Sequence, residues 1–220
     1  MSSISAPIPL FLTDSFAMPA HPHAVLAGAQ LDPAATREII MSYKEVDHVS
    51  AYYKEQFLDL IDRHPTDFAN RYNYTRGIQG HITAQGYVYN PDLDAVALMH
   101  HKKLDIWVGF GGHAEPEDTD IIATARREVI EEGGITDLSL VYNAPIDIDI
   151  HGFPAKGGQP DHLHYDIRFL FHTTSSALHP NEESTDVRWV KRSDLEQYLP
   201  RWLSNSRVLA FFSSYQPSGA

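Results

Sequence analysis

The chain has 220 residues, 43% of them hydrophobic and 21% charged, ordinary globular proportions with room for one large core or for one domain and an extension. Acids outnumber bases by 29 to 17, a formal charge of −12, which is the wrong sign for a protein held on nucleic acid by phosphate neutralisation. Cysteine is absent, so disulfides, thiolate metal sites and a catalytic thiol are excluded, and any metal or nucleophile chemistry falls to oxygen and imidazole.

The first 30 or so residues carry Pro7, Pro9, Pro19 and Pro22 without sustained periodicity, and they read as an extended arm or packed loop. Their apolar run has no basic residue ahead of it, a poor signal peptide, and no stretch reaches the roughly 18 apolar residues of a membrane span. The expectation is a soluble cytoplasmic protein without a membrane partner. Asp32-Pro33 reads as an N-cap with proline at the first helical position, opening a helix to about Tyr43. Val49, Tyr53, Phe57, Leu60 and Ile61 recur at helical spacing, predicting a second helix over 47–63 that His64-Pro65 ends.

From about His81 the texture becomes β-rich. Strands are expected at 82–89, 95–100 and 104–110, with a turn at Asn90-Pro91-Asp92, then a glycine-rich stretch and a helix over about 120–132. Further strands are expected at 146–151, 162–171 and 186–190, a glycine turn at 157 and 158, and short helices after Ser193 and Pro200. This mixture indicates an α/β or α+β sandwich. It divides the chain into an arm and helical extension, residues 1–79, and a domain over 80–215. The extension offers a surface for selecting substrate, covering a cleft or forming a homodimer.

The informative segment is GGHAEPEDTDIIATARREVIEEGGI, residues 111–135. Thr119 is placed to cap its helix, and Gly133 or Gly134 to end it in a left-handed turn. Advancing about 100° per residue, Ile121, Ile122, Ala125 and Val129 fill one apolar arc, and Glu128, Glu131 and Glu132 form a strip that touches its edge. Three acids near a helix C-terminus repel one another and the helix dipole. A hard divalent cation such as Mg²⁺ or Mn²⁺ resolves that conflict, because it takes carboxylate and carbonyl oxygens and keeps positions for phosphate.

REVIEEGGI, residues 127–135, resembles the second half of the Nudix hydrolase signature. The first half departs from the family pattern: one extra residue lies between Gly112 and Arg127, so counting back places the expected glutamate at Thr119 and counting forward at Asp118. Glu117, Asp118 or Asp120 takes over that carboxylate's part. The tail DVRWVKRSDLEQY resembles the family's closing strand and helix. The resemblance implies an α/β/α sandwich with a mixed sheet and a pyrophosphohydrolase acting on a nucleoside diphosphate linked to another moiety, by water attack at phosphorus assisted by Mg²⁺ or Mn²⁺. By position it implies Glu128, Glu131, Glu132 and the Gly112 carbonyl as metal ligands, and Arg127 as the group that holds a glutamate in place. The general base is implied to be a box glutamate such as Glu128 or a later carboxylate, Glu182 or Glu183, with Glu183 taken first.

Two alternating stretches carry further candidates. His162, His164, Asp166 and Arg168 share one strand face, and Asp147, Asp149 and His151 another. They read as walls of a wet substrate cleft or as a plain outward face. Lys102, in the basic turn His100-His101-Lys102-Lys103, reads as part of a solvated hairpin tip or as a contact for substrate phosphates, and His113 beside Gly112 as loop packing or a substrate contact. KLDIWVGFGGH faintly resembles the approach to the box in Nudix-fold isomerases of isoprenoid diphosphates, but those resemble one another in using a catalytic cysteine, absent here. A noncatalytic Nudix-like regulatory module is the remaining alternative. It is disfavoured because such modules commonly lose box carboxylates that this chain retains. No auxiliary motif for coenzyme A, NADH or ADP-ribose is evident around Pro145 or Pro154.

Overall fold

The computed structural model describes residues 28–155, 159–199 and 205–217. The proline-rich arm to residue 27, the glycine turn at 157 and 158 and the segment just after Pro200 lie outside the described residues.

The two extension helices form where the Asp32 cap and the apolar spacing over 47–63 predict. Helix α1 spans Pro33–Ser42, with the Asp32 carboxylate accepting from the Ala34 N–H. Helix α2 spans His48–Arg63 behind a reciprocal capping box between Asp47 and Ser50. A 3₁₀ turn, Asn73–Arg76, leads into β1 (Gly80–Asn90), β2 (Ala95–His101), β3 (Ile106–Val108) and β4 (Phe110–His113). Helix α3 (Ile121–Gly133), β5 (Ser139–Leu140), β6 (Asp147–Phe153), β7 (His162–His172) and β8 (Ser184–Lys191) follow. The described chain closes with α4 (Leu195–Tyr198) and α5 (Ser206–Ser214).

The strands make one mixed sheet organised on β1. Along one edge β1 runs parallel to β7, from Gly80 opposite Leu163 to Tyr89 opposite His172. Its other edge is shared: Thr83–Gly86 pair antiparallel with β4, and Val88–Asn90 with β2. The remaining pairs, β2 with β3 and β8 and β7 with β5 and β6, are antiparallel. Apolar residues of both parities along β1 are buried. Ile82, Ala84 and Val88 join Ile40, Phe57 and Ile61 of the extension and Ile121, Ala125 and Val129 of α3. Tyr87 and Tyr89 join Leu195, Val208 and Phe212 of the closing helices on the other face. The molecule is therefore an α/β/α sandwich whose helical extension shares the main core. Among the described residues no helix is long and apolar enough to cross a membrane.

Two local expectations are corrected. The strand expected over 104–110 breaks at Gly109, and the glycine-rich stretch after it is itself strand β4. Its glycines serve close approach: a Cβ on Gly111 would stand 2.7 Å from the Ala84 carbonyl oxygen. The cap of α3 is Asp120, not Thr119, its carboxylate accepting from the Ala123 N–H at 2.8 Å; Gly134, at φ 67°, ends the helix as expected. Asp120→Ala is expected to cost about 1 kcal/mol in urea unfolding, with Thr119→Ala nearly neutral; the reverse order would refute the cap.

Candidate active site

Helix α3 lays its apolar arc on the sheet, and this carries two of its acids inward. Glu128 and Glu132 are buried, whereas Glu131, one step round the helix, remains exposed. Arg127 gathers the acids around itself. Its guanidinium donates to Asp118 at 3.1 and 3.0 Å, to Glu128 at 2.9 Å, to Glu131 at 3.1 Å and to the His113 carbonyl at 2.7 Å. Of the three acids left open by the irregular spacing, Asp118 is the one on Arg127, Asp120 is spent on the cap and Glu117 is exposed. Burial pushes the Asp118 carboxyl up, but hydrogen bonds from Arg127 and the Glu115 amide outweigh it and hold it below the usual range.

The balance on the inner carboxylates runs the other way. Burial pushes Glu128 up to about 7 despite Arg127. Burial, with the charge of Glu128 second, pushes Glu132 up to about 8, and the Gly111 N–H, donating to it at 2.8 Å, is the partner that opposes the shift. One guanidinium thus faces more negative charge than it neutralises. Gly112 makes room for the cluster, since a Cβ there would fall 2.5 Å from Oε1 of Glu128. Gly112→Ala is expected to keep the fold and lower kcat about 10–100-fold, the scale of a displaced supporting group at a metal site; unchanged kinetics would show that Glu128 has no fixed position to lose.

Glu183 and Lys102 meet at the edge of this site. The Glu183 carbonyl accepts from the Lys102 N–H at 2.9 Å, both residues are exposed, and the Glu183 charge is among those raising Glu132.

The polar face of β7 divides into two regions. At its start, register sets His164 opposite His81 of β1 and His151 of β6, and His113 of β4 opposite Thr83. The rings of His81, His113 and His164 stand 4.9–5.0 Å apart, centre to centre. Burial pushes His81 and His113 down to about 3 and His164 lower still, so all three are neutral at physiological pH. His81 gives no local signal, because its neighbours reach it only through the pairing of β1 with β7 and with β4.

Further along the face lies a buried ion cluster. Arg168 donates to Asp147 at 2.7 Å, Asp166 at 3.2 Å and Asp149 at 3.4 Å. Arg207 of α5 reaches Asp147 at 2.6 Å and Asp149 at 3.3 Å. Asp166 also accepts from the Thr83 hydroxyl at 3.2 Å. Expected as walls of a wet cleft, Asp166 and Arg168 are instead shut in, their polar atoms occupied by one another rather than turned to a ligand.

Residues 80–212 match the family model described as NUDIX domain. No curated protein matches the chain. Among solved structures, a NUDIX-family hydrolase from Clostridium perfringens is similar at 23% identity and TM-score 0.44, over 54% of this chain and 86% of that one. Dihydroneopterin triphosphate pyrophosphohydrolase from E. coli is similar at 15% identity and TM-score 0.45, over 61% and 96% of the two chains. An Ap4A hydrolase from C. elegans, in a binary complex, is similar at 18% identity and TM-score 0.45, over 61% and 98%.

Proposed function

The chain belongs to the Nudix family, whose model it matches over residues 80–212, and from that membership we propose a divalent-metal-dependent pyrophosphohydrolase cleaving a nucleoside diphosphate linked to another moiety. The observation that carries the reading is the pair Glu128 and Glu132, two carboxylates buried a helical turn apart and pushed up to about 7 and about 8 although Arg127 bonds the first of them. Such a donor set fits Mg²⁺ or Mn²⁺: it is all oxygen, carries excess negative charge and adjoins a glycine that keeps the space beside it open. Glu128, Glu131, Glu132 and the Gly112 carbonyl would hold the ion. When bound, it supplies positive charge against the diphosphate oxygens as charge builds on them.

The chain's own residues supply the rest. Arg127 fixes Glu128 and Glu131 by charge-assisted bonds and is itself backed by Asp118, so the carboxylates are held before substrate arrives. Glu183 takes the proton from the water that attacks phosphorus; Glu128 is the alternative base. Lys102 on the neighbouring turn meets substrate phosphates. Asp166 and Arg168 act from behind, supporting β7 rather than touching substrate.

The test is a screen of nucleoside triphosphates, ADP-sugars, dinucleotides and other diphosphates with Mg²⁺ and with Mn²⁺, scored by chromatographic separation of the phosphomonoester and pyrophosphate products and repeated with EDTA. Cleavage of a diphosphate that EDTA abolishes is expected. If none is cleaved with either ion, or if nucleotides bind without turnover, the enzyme reading fails and the regulatory module takes its place.

A further inference from the structure

We infer that His81, His113 and His164 form a second metal site, distinct from the carboxylate site of α3 and suited to a borderline transition ion such as Zn²⁺. One ring nitrogen from each residue lies within 4.8 Å of those of the other two. Tetrahedral zinc with Zn–N bonds of about 2.0–2.1 Å spaces its ligands about 3.3–3.4 Å apart. The rings therefore close by about 1.5 Å at most, within the reach of rotations about χ2.

Four features support a ligand here over plain packing. First, Nε2 of His81 is buried without a hydrogen-bond partner, on a residue 2% exposed; a buried unpaired ring nitrogen is costly, and a bound metal would pair it. Second, all three donors are imidazoles, a ligand type that borderline ions prefer, and they converge on one point. Third, the ligands come from β1, β4 and β7, strands whose register is fixed along their length, which gives the site a rigid base. Fourth, two more imidazoles adjoin the cluster, the His162 ring 5.1 Å and the His151 ring 5.8 Å from that of His164. His162 Nδ1 lies 2.9 Å from the Pro160 carbonyl and donates to it, which leaves the lone pair on Nε2, 3.2 Å from Nε2 of His164. His162 thus borders the fourth position. On the other side His151 pairs with Asp149 at 3.2 Å. Arg71, whose charge reaches His81 and His113, is itself paired with Glu115 at 3.5 Å.

The donor chemistry separates the two sites. Carboxylate and carbonyl oxygens select Mg²⁺ or Mn²⁺, whereas three imidazoles select zinc, cobalt, nickel or copper. The second site would tie β1, β4 and β7 together beside Gly112, and His113 would serve as a ligand to this ion rather than as a direct substrate contact.

The experiment uses untagged full-length protein stripped with chelator, then equilibrated with Zn²⁺ in excess Mg²⁺ so that the carboxylate site is already filled. One zinc per chain by elemental analysis is expected, with a saturable rise in Tm. Cobalt in place of zinc is expected to give the visible absorption of a nitrogen-ligated tetrahedral ion. His81→Gln and His164→Gln should each weaken zinc binding by about 100-fold or more, while Glu132→Gln retains it. Circular dichroism checks each fold; should His81→Gln fail to fold, His113→Gln at a half-buried ring gives the same reading. Failure of the wild type to retain zinc overturns the site, as does zinc binding that survives His81→Gln but is lost in Glu132→Gln. Hydrolysis of a diphosphate with Mg²⁺ alone stands or falls independently of both results.

Discussion

Glu132→Gln is expected to abolish most hydrolysis, lowering kcat by about 10²–10³-fold, while making the metal-free protein more stable. The substitution removes a charged ligand and keeps an oxygen to accept from the Gly111 N–H, so activity and stability report on different properties of one atom pair. On the stability side, the folded protein holds the Glu132 carboxyl at about 8 against an ordinary 4.5, chiefly through burial. Between those values the unfolded chain ionises the group while the folded chain prefers the proton, so stability falls as pH rises through that window. A neutral amide escapes the penalty. Urea unfolding at pH 7 without metal should show a gain on the order of 1–3 kcal/mol, which shrinks as pH falls towards the unfolded value. Equal stability at pH 7, or undiminished turnover, would show that Glu132 is neither a strained carboxylate nor a ligand. Function gained at the expense of stability is the expected trade at such a site.

Arg168→Met is expected to destabilise the fold by about 3–5 kcal/mol, the cost of breaking a buried ion pair from one side. Burial works against the Arg168 guanidinium, but the carboxylates of Asp149 and Asp147 more than reverse it and hold its pKa well above the ordinary value. Without it, Asp147, Asp149 and Asp166 are left with Arg207 as the remaining guanidinium in the cluster. A typical domain has about 5–15 kcal/mol of stability in total, so the variant should express poorly or unfold well below wild type in a thermal melt. Asp147→Asn in the same chain should return part of the loss by lowering the excess of negative charge around Arg207. A loss below about 1 kcal/mol for Arg168→Met would show that the cluster is solvated rather than shut in.

What was legible beforehand was local. Asp32 announced α1 because capping is a matter of two or three neighbouring residues, and α2 and the strip of Glu128, Glu131 and Glu132 followed from helical periodicity alone. The Nudix signature pointed to the same segment that the family match now covers. What could not be read was partnership across the chain. Gly111 and Gly112 look like loop residues until Ala84 and Glu128 are found pressed against them. Asp147 and Asp149 alternate as any exposed face does, and the residue that helps shut them in, Arg207, lies about sixty positions away on α5. Its own surroundings, apolar and helical, give no hint of the charges it meets. His81 is the same case on β1, a single polar residue at the head of a strand until β7 is laid beside it.

The parallel pairing of β1 with β7 also sets an order of events during synthesis. Its partners lie about eighty positions apart in the chain. A ribosome adding 5–20 residues per second therefore leaves β1 waiting roughly 4–16 s for its neighbour, and closing so long a loop is a slow, non-local step. Over that interval one edge of β1 is an open template for other strands. Neither His164 nor Arg168 exists until β7 is made, so a nascent chain that ends before it cannot assemble the histidine cluster or neutralise the aspartates of β6. The histidine cluster and the ion cluster thus become possible only when the length of chain that holds them together has been completed.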